Sequence, residues 1–275
     1  MSIRELLKTE MPLVLPGAHD ALSALLIKQA GFKAFFVGGF PLVGARYGLP
    51  DIGLAALGEM ATGVRDIVNA SDLPVLVDAD NGYGDEKTMA HTVQTYERMG
   101  VSSLMIEDLL LPKRVAGKRL MSTEQMVKNI RAAVAARDDP TTFLIARTDA
   151  MTEHGSDEAL RRAEQYLTAG ADGIFIEGPQ SVQELELIGR SFDVPQMANM
   201  LEGGNTPILK PSELAGLGFQ LPIYGISLLV RITRLMQESL QDLKSERLDL
   251  IDSGVSLDEY HDIVGLPAWA AHEDS

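Results

Sequence analysis

Helical patterns that end at a glycine and pass within a few residues into a short apolar run recur along this chain of 275 residues. The glycine suits the left-handed backbone position that closes a helix, and an uninterrupted apolar run suits a parallel strand covered on both faces. The repeat therefore predicts strands and helices in alternation. It occurs as "QAGFKAFFVGG" from Gln29, "RMGVSSLMIED" from Arg98, "TAGADGIFIEG" from Thr168 and "GLGFQLPIYGI" from Gly216.

Four more apolar runs bring the strand candidates to eight: "LVLPG" from Leu13, "PVLVD" from Pro74, "TFLIAR" from Thr142 and "PQMAN" from Pro195. Helical patterns separate the runs at residues 20–30, 58–68, 85–99, 122–136, 156–169, 181–188, 211–217 and 229–254. The stretch from Ser122 to Gln125 fits a capping box at the start of one of these helices.

Eight alternating units in roughly 250 residues predict an α/β protein with a (β/α)8 barrel. The alternative is a doubly wound open sheet, which would carry a glycine-rich phosphate loop after its first strand. The sequence there is "LPGAHD", which is not such a loop. We expect residues 1–250 to form the barrel and residues 251–275 to add a short helical extension to the same domain.

Composition excludes several classes of partner and site. The chain has 24 Lys and Arg against 39 Asp and Glu, a net charge of −15, so nucleic acid and anionic membranes would meet repulsion. It has no cysteine, which excludes disulfides, thiolate metal sites and thiol catalysis. No signal peptide or membrane-spanning run is recognisable. We therefore expect a cytoplasmic protein that would hold a small anionic ligand with a local cluster of cations.

Acidic residues lie where several predicted strands end, which is where (β/α)8 barrels carry their active sites. Buried carboxylates repel one another unless they are protonated or bridged by a cation. Oxygen ligands without His or Cys favour a hard ion, Mg²⁺ or Mn²⁺. A pair of acids after a strand is also typical of helix caps, but Glu107 and Arg147 at neighbouring strand ends favour a metal site. The candidate ligands are Asp78, Asp80 and Glu107.

Several motifs resemble the isocitrate lyase/phosphoenolpyruvate mutase superfamily, especially its 2-methylisocitrate lyases, 2,3-dimethylmalate lyases and carboxyphosphonoenolpyruvate mutases. The similarity extends over roughly residues 6–266, and it implies a (β/α)8 barrel whose last helix is exchanged between subunits of a homotetramer or dimer of dimers. The motifs are "VDADNGYG", "IEDLLLPKR", "IARTDA", "GADGIFIE", "ANMLEGGNTP" and "GLPD".

The resemblance also implies roles for individual residues. Asp80 would bind Mg²⁺, with Asp78 and Glu107 acting largely through water. Arg147 would hold the substrate carboxylate and the developing oxyanion. His19 stands where many relatives have Tyr, and it is a candidate catalytic or pocket residue. The remaining implied substrate contacts are the backbone N–H groups of Gly38 and Gly39 and the side chains of Asp51, Glu177, Asn199 and Ser227.

The loop after the fourth predicted strand departs from this family. It reads "PKRVAGKRL" from Pro112, where lyases of the family carry Lys-Arg/Lys-Cys-Gly-His, with the Cys protonating the departing carbanion. Cys-Gly-His is deleted here, in agreement with the absence of cysteine. Lys113 and Arg114 remain, and we expect them to attract the substrate. A positioned general acid is worth on the order of 10²–10⁴ in rate, so its loss disfavours retro-aldol cleavage.

The leading prediction is a Mg²⁺-dependent lyase that breaks a carbon–carbon bond in a small 2-oxo or 2-hydroxy di- or tricarboxylate through a metal-stabilised enolate. Oxaloacetate-type decarboxylation is favoured because its enolate can take a proton from water. However, Ile226 stands where decarboxylases of the family carry His. The alternatives are a 2-methylisocitrate or dimethylmalate lyase with a different general acid, an enzyme of P–C bond chemistry, and a barrel that binds a 2-oxo acid without turnover.

Overall fold

The computed structural model describes residues 2–113 and 117–273. Its parallel strands are β1 (Leu15–Pro16), β2 (Phe35–Val37), β3 (Val75–Asp78), β4 (Ser103–Glu107), β5 (Phe143–Thr148), β6 (Gly173–Ile176), β7 (Gln196–Asn199) and β8 (Leu221–Tyr224). They form one eight-stranded sheet in the order β1-β8-β7-β6-β5-β4-β3-β2. Ala18 N–H donates to the carbonyl of Phe36 at 2.8 Å and joins the two edges. The predicted (β/α)8 barrel is confirmed.

Helices alternate with these strands, and each predicted helical pattern coincides with one of them. The helices are α1 (Ile3–Leu6), α2 (Ala21–Gln29), α3 (Gly39–Tyr47), α4 (Leu57–Ala70), α5 (Glu86–Glu97), α6 (Thr123–Ala136), α7 (Ala150–His154), α8 (Ser156–Thr168), α9 (Val182–Gly189), α10 (Pro211–Leu217), α11 (Ser227–Lys244), α12 (Leu257–Ile263) and α13 (Leu266–Ala270). None of the helices in the described part of the chain is long and apolar enough to cross a membrane.

Three local predictions differ from the structure. The last barrel helix, α11, ends ten residues before position 254, because the Asp242 carboxylate accepts the N–H groups of Asp249 and Leu250 at 3.1 Å and folds the chain back. Ser122 caps α6, but the side chain of Gln125 donates to Glu86 and Asn129, so the reciprocal half of the capping box is missing. Helix α3 was not predicted, because its glycines and proline disguise the helical pattern.

The barrel interior and the layer between strands and helices form two separate apolar clusters. Alternate strand residues such as Leu76, Met105 and Phe175 fill the interior, and Ile3 and Leu6 of α1 pack into the same cluster. The first helix therefore contributes to the interior core. The opposite strand faces pack against the surrounding helices. Polar side chains are left to gather at the carboxyl ends of the strands.

Helix α11 leaves much of its apolar side uncovered. Leu235, Met236, Leu240 and Leu243 are each more than half exposed. Beside it lies a groove of about 800 Å³ between α2 and α11, with apolar side chains including Leu26 along its wall. The barrel thus has both an uncovered helix face and an open apolar groove on one side.

Candidate active site

The carboxyl ends of the strands surround a cavity of about 500 Å³. Its position follows from parallel pairing, because β4 and β5 place Glu107 beside Arg147 at the same level of the sheet. The structure therefore brings most of the predicted site residues to one end of the barrel, around the opening of this cavity, which we call the mouth. Those that line the cavity are Gly38, Gly39, Asp51, Asp78, Lys113, Arg147, Glu177 and Asn199.

The segment from Asp78 to Asp80 turns sharply as it leaves β3. Asp80 takes a left-handed backbone conformation with φ of 47°, which Asp tolerates better than most residues. Its N–H donates to Asp78 Oδ1 at 3.0 Å, and its carbonyl accepts the N–H of Glu107 at 2.8 Å. Both aspartates are buried, so the turn fixes two carboxylates next to the end of β4.

Lys113 places its ammonium among three of these carboxylates. Its Nζ lies 2.9 Å from Asp80 Oδ1, 3.3 Å from Asp51 Oδ2 and 3.3 Å from Glu107 Oε1. Burial opposes the charge of this lysine, but Glu107, Asp80 and the neighbouring acids outweigh burial and raise the pKa of Lys113. The lysine is therefore a protonated internal counterion at the mouth.

Glu107 is fully buried, and neither of its carboxylate oxygens accepts a hydrogen bond from the residues that the structure describes. Arg147 NH1 lies 3.4 Å from Oε2, beyond good hydrogen-bond geometry. Burial raises the pKa of Glu107 to about 8, against the opposing effect of Arg147 and Lys113. Burial and the charge of Asp80 raise the pKa of Asp78 to about 6. The cluster has too little positive charge to keep all of its acids ionised.

These residues fit a hydrated magnesium ion. Within the described ranges, no three acidic or His side chains are arranged to hold a metal by themselves. Mg²⁺ usually keeps several waters and takes only one or two protein carboxylates. The oxygens of Glu107, which accept no hydrogen bond from the described residues, and the all-oxygen donor set are suited to such an ion. Asp80 would bind it directly, with Asp78 and Glu107 holding its waters.

Arg147 is held in place from two sides. Its Nε and NH2 donate to the two oxygens of Asp149 at 2.8 and 3.1 Å, and its guanidinium lies 5.2 Å from the centre of the Phe175 ring. A bidentate pair of this kind fixes the plane of the guanidinium. The remaining N–H groups point toward Glu107 and Glu177, which lie on the mouth.

Asp149 and Lys118 are two site residues that sequence reasoning missed. Asp149 is fully buried and accepts from Arg147 and also from the Lys118 ammonium. Although burial opposes its charge, Arg147 and Lys118 lower the pKa of Asp149 to about 2. The spacing in "RTD" could have revealed Asp149, because residues two apart at the end of a strand point to the same side.

Asp108 supports the end of β5 from behind the mouth. Its Oδ2 accepts from Thr148 Oγ1 at 2.7 Å, Tyr166 OH at 2.8 Å and Arg162 NH1 at 3.0 Å. Its Oδ1 accepts the N–H of Asp149 at 3.0 Å. The carboxylate is buried and fully used in these bonds. Asp108 therefore positions the Asp149 backbone rather than facing a ligand.

Gly38 and Gly39 lie at the N-terminus of α3, where the first backbone N–H groups of a helix have no partner within the helix. Such an end favours anions. A Cβ on Gly38 would lie 2.7 Å from the Phe36 ring, and one on Gly39 would lie 3.2 Å from Asp51 Oδ1. Glycine is required at Gly38 for close packing, and at Gly39 it leaves the space beside Asp51 open.

Glu177 and Asn199 face each other across the far wall of the cavity. Asn199 Nδ2 donates to Glu177 Oε2 at 3.4 Å. Asn199 Oδ1 is buried and has no hydrogen-bond partner among the described residues. The pair therefore offers a carboxylate and a free amide oxygen to a donor group.

His19 and Ser227 are not at this mouth. Both line the groove between α2 and α11, because Ser227 begins α11 and His19 immediately precedes the cap of α2. Burial lowers the pKa of His19. The sequence grouped them with the site because strand ends alone do not tell which side of the barrel wall a side chain takes. Arg114 lies outside the described residues.

A family model described as phosphoenolpyruvate phosphomutase matches residues 3–244 of this chain. The 2,3-dimethylmalate lyase of Eubacterium barkeri is 39% identical over 269 residues, which cover 96% of this chain and 93% of that protein. The chain belongs to the PEP mutase/isocitrate lyase superfamily. The predicted family and the prediction of a lyase-type enzyme are confirmed.

Two solved structures of related proteins extend the similarity to the whole fold. Oxaloacetate acetylhydrolase in complex with 3,3-difluorooxalacetate is 29% identical with a TM-score of 0.94, covering 99% of this chain and 95% of that chain. Phosphonopyruvate hydrolase in complex with oxalate and Mg²⁺ is 26% identical with a TM-score of 0.89, covering 100% and 99%. Superfamily members with this barrel thus act on different small oxo acids.

Proposed function

We propose that this superfamily member is a Mg²⁺-dependent carbon–carbon lyase that decarboxylates a small 2-oxo dicarboxylate of the oxaloacetate type. The observation that carries the proposal is an acidic cluster beside one cavity in a chain without cysteine. Lys113 and Arg147 line the cavity, and Asp80 and Glu107 lie behind them at ion-pair distances of 2.9 and 3.4 Å. Two solved relatives contain difluorooxaloacetate or oxalate, which supports a 2-oxo acid of this size.

The positively charged and N–H groups of the mouth would bind the anionic parts of the substrate. Arg147, held rigid by Asp149, binds the substrate carboxylate and the oxygen on which negative charge develops. The N–H groups of Gly38 and Gly39 donate to the same anionic end. When bound at Asp80, Mg²⁺ supplies a fixed positive charge beside the substrate oxygens. At the far end of the substrate, the Asn199 NH2 group would donate to the distal carboxylate, and Glu177 would lie beside it.

Decarboxylation suits these residues better than retro-aldol cleavage. Retro-aldol cleavage needs a base at the hydroxyl group and an acid at the new carbanion. The described residues that line the cavity include carboxylates that could act as the base, but they include no Cys, the acid that lyases of this family carry in the loop after the fourth strand. In decarboxylation the bond between C3 and the distal carboxylate breaks, and its electron pair passes into the enolate. Carbon dioxide leaves, and C3 takes its proton from water.

The test follows oxaloacetate and Mg²⁺ by NMR, with a protein-free reaction as the reference because the ion alone accelerates this reaction. We expect pyruvate to form faster with the protein, and Asp80→Ala to abolish both metal binding and the acceleration. Asp72→Ala is the control, because Asp72 lies on the surface and forms an ion pair with exposed Lys28. Full turnover by Asp80→Ala, or no acceleration by the unaltered protein, would refute the proposal.

A 2,3-dimethylmalate-type lyase is the second candidate, favoured by the 39% identity to the Eubacterium barkeri enzyme. In the same NMR assay it would split dimethylmalate, and a different residue would have to donate the proton. Phosphonopyruvate in the panel tests P–C chemistry through phosphate release. Oxalate binding without turnover of any compound would indicate a binding protein.

The assembly that we propose is a homotetramer or dimer of dimers in which α11 is exchanged between subunits. The exposed apolar face of α11 and the open groove beside α2 support it, since each could cover the other in a second copy. Light scattering should give a molar mass four times that of the chain, and a monomer would contradict it.

A cytoplasmic location stays a prediction that cell fractionation tests.

A further inference from the structure

The Lys113 ammonium lies among carboxylate oxygens, in a position where a hydrated metal ion would be held. It lies within 3.3 Å of one carboxylate oxygen from each of Asp51, Asp80 and Glu107. These acids come from three separate segments of the chain, and the lysine side chain is only 15% exposed. A flexible chain ending in one positive charge thus completes a cage of oxygens.

The same oxygens cannot serve two cations at once. The Asp80 oxygen that lies 2.9 Å from Lys113 belongs to the carboxylate that would bind Mg²⁺ directly, and two cations at such a separation repel strongly. We propose that Lys113 is an internal competitor that fills the divalent-cation position in the metal-free protein and leaves it when the ion binds. This inference rests on the metal site of the proposed function.

The backbone around Lys113 is anchored, so only the side chain has to move. Lys113 N–H donates to the carbonyl of Ile52 at 3.1 Å. Pro112 packs so closely on Gly53 that a Cβ there would lie 3.1 Å from it. An ammonium on a four-carbon stem with several rotatable bonds can swing away from such an anchor. Its exit exposes the Asp80 and Glu107 oxygens together.

Competition of this kind lowers the apparent affinity for the ion. The apparent dissociation constant equals the intrinsic one divided by the fraction of molecules in which the site is free. If the ammonium fills the site in about nine of ten to 99 of 100 molecules, the affinity falls by about 10- to 100-fold. Removing the ammonium should therefore raise the apparent affinity for the ion by the same factor, about 10- to 100-fold.

The first test measures Mn²⁺ binding by calorimetry without substrate, in the unaltered protein and in the Lys113→Met variant. We expect the variant to bind Mn²⁺ about 10-fold or more tightly. Lys28→Met is the control, because it removes the same charge from a surface pair with Asp72 outside the site, and its affinity should stay within about twofold. Equal or weaker binding by Lys113→Met would overturn the inference while leaving the metal site intact. No Mn²⁺ binding by either protein would overturn the metal site and the inference together.

A second test uses the unaltered protein, in case Lys113→Met does not fold. Reductive methylation followed by mass spectrometry reports how freely each lysine reacts. Mn²⁺ should increase the methylation of Lys113, because the ammonium leaves its three carboxylates, and should leave Lys118 unchanged. Methylation of Lys113 that stays constant or falls with saturating Mn²⁺ would overturn the inference.

Discussion

Replacing Asp149 with Asn removes the anion that orients Arg147 while keeping the size of the side chain. Asp149 accepts Arg147 Nε at 2.8 Å and NH2 at 3.1 Å, and it also binds Lys118. Asn has one acceptor oxygen and a donor NH2 group, so one of the two hydrogen bonds to Arg147 is lost. In its place the Asn NH2 group faces an N–H group of Arg147, and two donors cannot bond to each other. Both Arg147 and Lys118 also lose their buried counter-charge.

Two estimates of the stability loss agree. The pKa of Asp149 falls from 3.8 to about 2, and one pKa unit corresponds to about 1.36 kcal/mol, so the ionised carboxylate contributes about 2–3 kcal/mol. A hydrogen bond to a charged group contributes about 1.5–3 kcal/mol. Because the pKa of this carboxyl is lowered on folding, its contribution is present above pH 3.8 and lost as the pH falls through about 2.

Urea unfolding of the metal-free protein at pH 7 measures this loss, and kcat/KM measures the consequence for the mouth. We expect Asp149→Asn to lose about 2–3 kcal/mol and kcat/KM to fall on the order of 100-fold, because a misplaced guanidinium no longer meets the substrate. Asp157→Asn, at an exposed position in the first turn of α8, is the control. A loss below about 1 kcal/mol together with unchanged kcat/KM would show that Asp149 does not orient Arg147.

Two further predictions concern the buried acids. The pKa of Glu107 is raised from 4.5 to about 8, so the folded metal-free protein binds more protons than the unfolded chain and should lose stability as the pH rises from 4.5 to about 8. In urea unfolding, Glu107→Gln should remove this part of the dependence of the free energy of unfolding on pH. An unchanged dependence on pH would contradict the prediction. Tyr166→Phe should cost about 1.5–3 kcal/mol, because Tyr166 OH donates to buried Asp108, whereas half-exposed Tyr260→Phe should cost almost nothing.

The fold was readable from the sequence because its signal is local and repeated. The predicted strand at Pro74–Val77 is found as the buried strand β3, shifted by one residue to Val75–Asp78, so Asp78 ends the strand and Asp80 follows it. Helix α3 was not predicted because Gly39 and Gly44 lower helix propensity, and because the close approach of Phe36 and Asp51 to its first residues is a tertiary contact that the sequence does not show. That same helix end supplies the N–H groups of the site.

Side-chain placement across the mouth was harder to predict than strand ends. Gly38, Asp78 and Arg147 reached the cavity because parallel pairing fixes their level in the sheet. Lys118 could not be assigned, since its partner Asp149 lies 31 residues away, after α6 and β5, and only the tertiary fold brings the two together. Ser227 shows the reverse case, in which a residue near a strand end turns into the groove beside α2.

An excess of carboxylates explains several features of the mouth at once. Asp51, Asp78, Asp80 and Glu107 surround one lysine, and Arg147 is shared with Asp149. Such a cluster draws in any available cation, which accounts for the position of Lys113. Burial raises the pKa of Glu107, and the charges of Asp78 and Asp80 add to that effect. The same excess would repel an anionic substrate. A divalent ion that takes the place of Lys113 would add the charge that the substrate needs, so we expect the ion to bind before the substrate.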